Sequence, residues 1–355
     1  MGSIIARKDS TGATRYRAQI RIKQGGAVVH SESSTFSRKA AAQEWIAKRE
    51  KELAEPGALA AVKHQGVTVS ELVDRYLATI GDKFGRSKTA HLKQMKKMEL
   101  LAGLSATQCT SVQLVQHADD RRKEAGPSTV ANDFVWLRVL FRHARVAWGI
   151  PCNMQAIDDA VEALRAARTI GRPRSRRRRP TAEELEALDA FFRKKRWTIP
   201  MWYVMWLAIY SARRLSELFN IEAAHLHEAS GTYMVYDLKH PDGAAGNDHE
   251  ALLPEMGWVV LRDLQRTHPV ESGPLLPWNP KTASNYFTRA CFQLGIKDLH
   301  FHDLRHEGAS RLAEDGKTIP EIQQVTLHED WGSLKVYVNV RGRRGRRADY
   351  VPLDA

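Results

Sequence analysis

The sequence has few cysteines and no long hydrophobic run. Cys109, Cys152 and Cys291 are odd in number and far apart, so they form neither a disulfide framework nor a zinc-ligand pattern. The N-terminus lacks the apolar segment of a signal peptide. The most apolar window, residues 199–210, is too short to span a bilayer. We therefore expect a protein of the reducing cytoplasm with ordinary buried thiols and no contact with membranes.

Positive charge is what the sequence has in excess. Its 355 residues include 54 Lys and Arg against 41 Asp and Glu, which gives a formal net charge of +13. A balance of this sign favours a polyanionic partner, most often nucleic acid. A merely basic protein is the alternative, and the clustering of the charge favours the first interpretation. The length predicts two or three domains.

The first 56 residues predict a three-stranded sheet followed by one helix. Between residues 15 and 23, basic and apolar side chains alternate, so a strand would present the basic set on one face. A β-ribbon fits the DNA major groove, which makes this face a candidate DNA contact. The pattern fits a solvated edge face equally well. The candidate DNA-binding residues are Arg15, Arg17, Arg21 and Lys23.

A helical domain follows, with a linker on each side. Residues 57–66 predict the first linker, and residues 67–150 predict a compact set of helices whose aromatic residues form its core. Residues 151–180 predict a basic interdomain linker. A run of arginines usually stays solvated or disordered, but between two folded domains it can also lie along phosphates. The arginines of this candidate DNA tether are Arg174, Arg176, Arg177, Arg178 and Arg179.

Residues 181–340 predict a third domain, which is mixed but mostly helical. Two strands are expected around a loop rich in Gly, Asp and Asn, at 233–238 and 250–253. The apolar periodicity predicts helices at 255–267, 281–294, 303–314 and 319–327. Residues 341–355 predict a flexible basic tail. The fold class is therefore α+β and mainly α, with small antiparallel sheets in the first and third domains.

Several residues of the third domain have the chemistry needed to cut a phosphodiester. An enzyme without a metal must supply cations, a proton for the leaving oxygen and a positioned nucleophile. Arg214 and Arg305 suit the first task, because a guanidinium can hold two non-bridging oxygens at once. His302 and Arg305 lie three residues apart at a helix start and so project from nearly one face. Taken singly, each is more often a surface or ion-pair residue.

The order and spacing of these motifs resemble the tyrosine recombinases, the integrase family of phages and mobile elements. Residues 302–306 have the pattern His-x-x-Arg-His, and a histidine precedes Tyr337 by nine residues. Ser211–Leu218 resembles the family's Thr-Gly-x-Arg-x-Ser-Glu-Leu segment, in which Arg214 takes the arginine position. The first two domains are similar to the arm-binding and SAM-like core-binding domains of lambda-type phage integrases.

The resemblance implies a site-specific DNA recombinase that cuts and rejoins strands to integrate or excise a phage or mobile element. Tyr337 would be the nucleophile, forming a 3′-phosphotyrosine, and the two arginines would bind the scissile phosphate. Lys239 would protonate the 5′ leaving oxygen. His302 would assist proton transfer, and His328 would hydrogen-bond a non-bridging oxygen.

The resemblance also implies cofactors and partners. Because the phosphotyrosine keeps the bond energy, neither ATP nor a metal is expected. The expected partners are double-stranded DNA with attachment sites and an accessory DNA-bending or excisionase protein. The chain would form a homotetramer on DNA and would be a monomer or weak oligomer when free. It would work in the cytoplasm of a bacterial host, near the nucleoid, and its tail would dock on a neighbouring protomer.

The sequence departs from the family pattern at a few positions. Ser211 and Ala212 replace the usual Thr-Gly, and Leu327 stands where the family usually has glycine. Glu307 is unusual after the second histidine, and Arg213 beside Arg214 raises the question of which arginine binds phosphate. These changes affect backbone fit more than chemistry.

Two other functions compete with this interpretation. The pair His300 and His302, separated by Phe301, would fit a metal-dependent nickase or relaxase if it lay on a strand. That interpretation leaves Arg214, Lys239 and His328 without a role. A non-catalytic DNA-binding regulator explains the charge but not the ordered set of phosphate-handling residues.

Overall fold

The structure is a computed structural model in which the chain forms two compact units, residues 1–174 and 175–355. The residues it describes are 2–8, 10, 12–55, 57–64, 66–173, 176–194, 197–238, 246–338, 340 and 346–352.

The first unit begins with an antiparallel sheet in the order β1-β2-β3. Its strands are β1 (Gly2–Lys8), β2 (Thr14–Gln24) and β3 (Ala27–Phe36), and helix α1 (Lys39–Ala54) packs against all three. The alternation in β2 works as predicted, because Ala18 and Ile20 are fully buried. The four basic side chains of this strand lie on the exposed face, opposite the buried pair.

The rest of the first unit is helical and shares one apolar core. Two helices, α3 and α6, begin at capping boxes formed by Thr68 with Glu71 and by Thr110 with Gln113, which satisfy otherwise unpaired backbone donors. The helices are α2 (Ala58–Lys63), α3 (Val69–Ile80), α4 (Arg86–Met95), α5 (Glu99–Gly103), α6 (Ser111–Arg122), α7 (Pro127–Trp148) and α8 (Met154–Ala166).

Both linker predictions need correction. Helix α2 occupies most of the first predicted linker, 57–66. Helix α8 lies within the second, 151–180, and its Ile157, Ala160 and Leu164 are buried in the same core as α3 and α7. The arginine run at the end of this segment favoured a linker, although these apolar side chains have helical spacing. The helical core thus extends beyond residue 150, as far as Ile170.

The second unit surrounds helix α10 (Met201–Ser211), whose eleven residues are all buried except Trp202. Its small antiparallel sheet has the order β4-β5-β6, with β4 (Leu226–His227), β5 (Thr232–Val235) and β6 (His249–Leu252). The helices are α9 (Ala182–Lys194), α10 (Met201–Ser211), α11 (Leu215–Leu218), α12 (Glu255–Thr267), α13 (Pro280–Gln293), α14 (Asp303–Glu314), α15 (Ile319–Thr326) and α16 (Trp331–Lys335). The predicted fold class, mainly helical with small antiparallel sheets, is confirmed. Among the described residues, no helix is both long and apolar enough to cross a membrane.

Residues 346–352 pack against their own unit. Ala348 and Tyr350 are buried in the main core of that unit. The backbone N–H of Tyr350 donates to the Tyr210 hydroxyl (3.0 Å), and the Tyr350 hydroxyl donates to the Asp263 carboxylate (2.7 Å). Arg311 on α14 donates to the carbonyl of Ala348. The prediction of a flexible tail is therefore wrong for residues 346–352.

Candidate active site

The site forms where the C-terminal end of α10 meets the N-terminal half of α14. Gly308 allows the two helices to approach closely, because a Cβ at this position would lie 2.0 Å from the carbonyl oxygen of Ile209. One turn earlier on α14, Arg305 extends beneath the segment that follows α10. Its Nη1 donates to the carbonyl of Ala212 (2.7 Å) and its Nη2 donates to the carbonyl of Thr326 (3.2 Å). Arg305 is thereby fixed between two chain segments.

The imidazole of His328 is a further hydrogen-bond partner of Arg305. Arg305 Nη2 lies 2.8 Å from His328 Nε2, and only an unprotonated nitrogen can accept that hydrogen bond. Arg305 Nε is buried and lacks a hydrogen-bond partner among the described residues. One N–H group of the fixed guanidinium is therefore buried and unpaired among the described residues.

Two adjacent arginines have different environments. The Arg213 side chain is fully buried, and it donates to the carbonyls of Ser211 and Val325. The Arg214 side chain is 33% exposed and donates to Glu217 Oε1 (2.6 Å). Of these two neighbours Arg214 is the exposed one, so the geometry favours Arg214 over Arg213 as the phosphate-binding residue.

Tyr337 lies among the histidines and Arg305. Its hydroxyl lies 3.3 Å from His302 Nε2. Its ring stacks on that of His306, with 4.5 Å between centroids and 25° between planes, and lies 4.7 Å from the ring of His328. The Arg305 guanidinium carbon is 5.1 Å from the centre of the phenol ring. The structure thus brings together five of the six predicted catalytic residues: Arg214, His302, Arg305, His328 and Tyr337. Lys239 falls outside the described residues.

Burial and the local cations set the protonation of the site. Burial, followed by the charge of Arg305, lowers the pKa of His328 to about 3. Desolvation and the neighbouring His306 and Arg305 lower the pKa of His302, and burial lowers that of His306. All three imidazoles are therefore neutral at pH 7, and they can accept or relay a proton.

Glu217 balances the arginines. Although burial opposes ionisation of its carboxyl, the charges of Arg213 and Arg214 hold the pKa of Glu217 below its ordinary value. Burial, together with Arg213 and Arg214, lowers the pKa of Arg305. One carboxylate therefore faces three guanidinium groups, and the site carries a net positive charge that an anion would neutralise. The sequence pattern alone did not indicate this role of Glu217.

The two departures from glycine occur at left-handed backbone positions. Ala212 ends α10 with a φ of 47°, and Leu327 ends α15 with a φ of 51°. A side chain is disfavoured in this conformation, which glycine adopts readily. The positions that the family fills with glycine thus need the glycine conformation here too, and both flank residues of the site.

The arginine run is largely engaged in ion pairs within the second unit, which argues against a DNA tether. Arg176 donates to both carboxylate oxygens of Asp303, the first residue of α14, at 2.6 and 2.7 Å. Arg178 pairs with Glu184. Arg179 is buried and pairs with Glu307 (2.8 Å) and with Glu314 (2.6 Å).

Arg176, Arg178 and Arg179 are therefore structural residues that anchor α9 and α14, and the prediction that they contact phosphate is corrected. The unusual Glu307 is explained as the buried partner of Arg179 and Arg311. Arg177 is exposed, and Arg174 falls outside the described residues.

The histidine pair of the relaxase alternative is not on a strand. His300, Phe301 and His302 form the turn before α14, with Phe301 buried in the core. His302 contacts Tyr337, whereas His300 is exposed. The pair does not have the strand geometry which that alternative requires.

Comparison with known proteins agrees with this geometry. Residues 178–344 match the family model described as "Phage integrase family". These residues are a phage integrase domain. The match confirms the resemblance to the tyrosine recombinases, and it covers α9–α16 with every residue of the candidate site.

Individual relatives of the phage integrase domain cover more of the chain. The "Shufflon-specific DNA recombinase" of Escherichia coli is 27% identical over 291 residues, which are 78% of this chain and 70% of that protein. A lambda integrase dimer bound to a COC′ core site has a TM-score of 0.61 at 18% identity, covering 98% of this chain and 97% of that one. The Tn1549 transposon integrase in complex with circular intermediate DNA has a TM-score of 0.59 at 15% identity, covering 78% and 96%. At such identities the two structures show a shared fold.

Proposed function

We propose that the protein is a site-specific DNA recombinase that integrates or excises a mobile element through a phosphotyrosine intermediate. The observation that carries the proposal is the position of the Tyr337 hydroxyl. It lies 3.3 Å from a neutral imidazole, with the guanidinium of Arg305 against its ring. A phenol so placed has a proton acceptor at hand and a cation beside the position where a phosphate would bind.

The proposed reaction is a transesterification that conserves the phosphodiester energy. Arg214 and Arg305 hold the non-bridging oxygens of the scissile phosphate and offset the charge that grows on them. Tyr337 Oη attacks phosphorus while its proton passes to His302 Nε2, and the bond to the 5′ oxygen breaks. Lys239, by its position in the family pattern, gives a proton to that oxygen. The reverse attack by a 5′ hydroxyl releases Tyr337 and rejoins the strand, so no ATP or metal takes part.

Double-stranded DNA is the proposed partner. The net charge of +13 and the exposed basic face of β2 support this assignment, and the lambda integrase dimer in the comparison is bound to DNA. We assign the N-terminal sheet to arm-type DNA sites, the helical domain to the core site and the phage integrase domain to strand cleavage. A lambda integrase tetramer bound to a Holliday junction, with a TM-score of 0.59, supports a tetramer as the working assembly. We also propose an accessory DNA-bending or excisionase protein as a partner.

Covalent trapping tests the proposed function. Candidate attachment sites come from direct repeats in the DNA that flanks the gene. A duplex of such a site, nicked near the crossover so that the short cleaved fragment diffuses away, should accumulate a protein–DNA adduct in EDTA. Tyr337→Phe should abolish the adduct while DNA affinity stays the same. Tyr236→Phe, at a tyrosine that is 38% exposed, is the matched control and should keep the adduct.

The same experiment separates the alternatives. An adduct that requires a divalent metal and disappears in His300→Gln would indicate a relaxase. Specific DNA binding without any covalent product would indicate a regulator. An adduct that survives in Tyr337→Phe would show that another residue is the nucleophile.

A further inference from the structure

The nucleophile proposed above is held by one face of helix α14, and two of the residues on that face have no part in the chemistry described so far. His302 directly precedes the helix, and His306 and Ser310 follow at intervals of four residues, so the three side chains lie along one side. Each contacts a different part of Tyr337. We call these three residues the Tyr337 cradle.

The first contact is at the hydroxyl and the second is at the ring. His302 Nε2 is 3.3 Å from Tyr337 Oη, and the two rings meet edge to face at 73°. The ring of His306 instead lies nearly parallel to the phenol, with its centroid 4.5 Å away. A parallel neighbour at this distance limits rotation of the phenol about its Cβ–Cγ bond, and such aromatic pairs add roughly 0.5–1.5 kcal/mol beyond the area they bury.

The third contact is at the backbone. The Ser310 hydroxyl donates to the carbonyl oxygen of Tyr337 at 3.1 Å. Ser310 is fully buried, and His306 is 3% exposed. Tyr337 lies in the turn after α16, which ends at Lys335, and its backbone N–H donates to the carbonyl of Leu334 at 2.8 Å. The Ser310 bond therefore ties the carbonyl side of Tyr337 to α14, while its N–H side is held by α16.

We propose that His306 and Ser310 are positioning residues that orient the Tyr337 nucleophile. His306 sets the plane of the phenol ring, and Ser310 sets the height of its backbone above α14. The Tyr337 hydroxyl is then held close to His302 and to the Arg305 guanidinium. Neither residue exchanges a proton with the DNA. This proposal rests on the proposed function, because it concerns the orientation of the same nucleophile.

Buried surroundings support an orienting role for His306. Burial lowers the pKa of this histidine, and the nearby Asp303 and a hydrogen bond to the Tyr337 backbone only partly offset that effect. Its Nδ1 has no hydrogen-bond partner among the described residues. A neutral, buried ring that is stacked on the nucleophile serves packing geometry rather than charge.

Single-turnover cleavage of the nicked duplex tests the proposal. A misplacement of about 1 Å can reduce a rate about 10²-fold, so His306→Gln, which keeps a polar group but loses the ring, should slow adduct formation by about that factor. His306→Phe keeps the flat ring and should stay within about fivefold of the wild type, given the same principle. Ser310→Ala should slow the reaction about tenfold. The dissociation constant for DNA should not change.

A second substrate distinguishes orientation from proton transfer. A duplex with sulfur in place of the 5′ bridging oxygen has a leaving group that needs no proton, because a thiol has a pKa near 8.5. The defect of His306→Gln should persist on this substrate. Restoration of the wild-type rate would show that His306 acts on the leaving group and would overturn the proposal.

Other outcomes are equally decisive. A His306→Phe rate as low as that of His306→Gln would overturn the proposal, because the ring alone would not suffice. So would a wild-type rate in His306→Gln. If His306→Gln does not fold, Ser310→Ala still tests the proposal. A wild-type rate in that variant would show that the Ser310 hydrogen bond does not position Tyr337 and would overturn the proposal. A wild-type protein that forms no adduct at all would instead refute the proposed function.

Discussion

Glu217 Oε1 accepts a hydrogen bond from Arg214 Nη1 at 2.6 Å, while the other oxygen of the carboxylate lies 3.8 Å from Arg305 Nη1. The two proposed phosphate-binding arginines therefore share one counter-ion in the free protein. A bound phosphate would take over part of this role.

Removal of that charge should destabilise the free protein more than the DNA complex. Glu217→Gln leaves three guanidinium groups without a counter-ion, and loss of one partner of a buried pair typically costs about 3–5 kcal/mol. We expect this loss in urea unfolding of the free protein and a clearly smaller loss when attachment-site DNA is present in excess. Asp189→Asn, which breaks an ion pair on α9, is the control. An equal loss with and without DNA would contradict the shared-charge account.

Acid should destabilise the second unit through His328. The unfolded chain binds a proton at this histidine below about pH 6.5, whereas the folded pKa is about 3. Between these values the unfolded state holds more protons, so the free energy of unfolding falls as the pH falls, by up to about 1.4 kcal/mol per pH unit. His328→Gln should reduce this slope by about 1 kcal/mol per unit between pH 6 and pH 4.5. Urea titrations across that range measure the slope.

The control for His328 is His227→Gln, at an exposed histidine on β4. It should leave the slope of the wild type unchanged. If both variants reduce the slope of the free energy of unfolding against pH equally, that slope does not come from His328.

Glycine at position 212 should stabilise the protein. The left-handed conformation of Ala212 costs about 1–2 kcal/mol relative to glycine, and loss of one methyl group offsets part of this. We expect Ala212→Gly to raise the free energy of unfolding by about 0.5–1 kcal/mol. Ala208→Gly, at an equally buried alanine inside α10, should lower it by about 1 kcal/mol. Thermal and urea unfolding of the pair give the comparison, and two losses of equal size would count against backbone strain at Ala212.

The basic face of β2 should contribute to the salt dependence of DNA binding. Each phosphate contact adds about 0.9 to the slope of log K against log salt, so the double variant Arg17→Gln, Lys23→Gln should reduce that slope by about 2. Lys48→Gln, Lys51→Gln removes the same charge from exposed positions on α1 and should leave the slope nearly intact. Anisotropy titrations over a series of salt concentrations decide. Equal slopes for the two double variants would mean that only net charge matters.

Local patterns were enough to predict most of the helices. The apolar spacing between 255 and 267 gave helix α12 with both ends in place, and the strands near 233 and 250 were found within a few residues. The candidate site was reached through a family pattern, because no single residue of it stands out by composition. The described residues that form the site in the structure include five of the six that the family pattern named.

Contacts between segments that are far apart in the sequence could not be predicted from local patterns. The partners of Arg176 and Arg179 are 127 and 128 residues away in the chain, so a run of arginines gave no sign that it would enter ion pairs. Helix α8 was missed because the arginine run that follows it, at residues 172–179, outweighed its apolar spacing. The parallel stacking of His306 on Tyr337 likewise depends on how two remote segments meet.

The contact of Gly308 with the Ile209 carbonyl has a consequence for how this site tolerates change. Helix α10 precedes Arg214 and helix α14 carries Arg305. The distance between these two helices is set by direct contact between their main chains. Side chains in the surrounding core can therefore be exchanged for others of similar volume without altering the gap between the two guanidinium groups. A single methyl at position 308 would push the two helices apart, so Gly308→Ala should impair phosphate recognition even though Gly308 has no side chain to contact the phosphate.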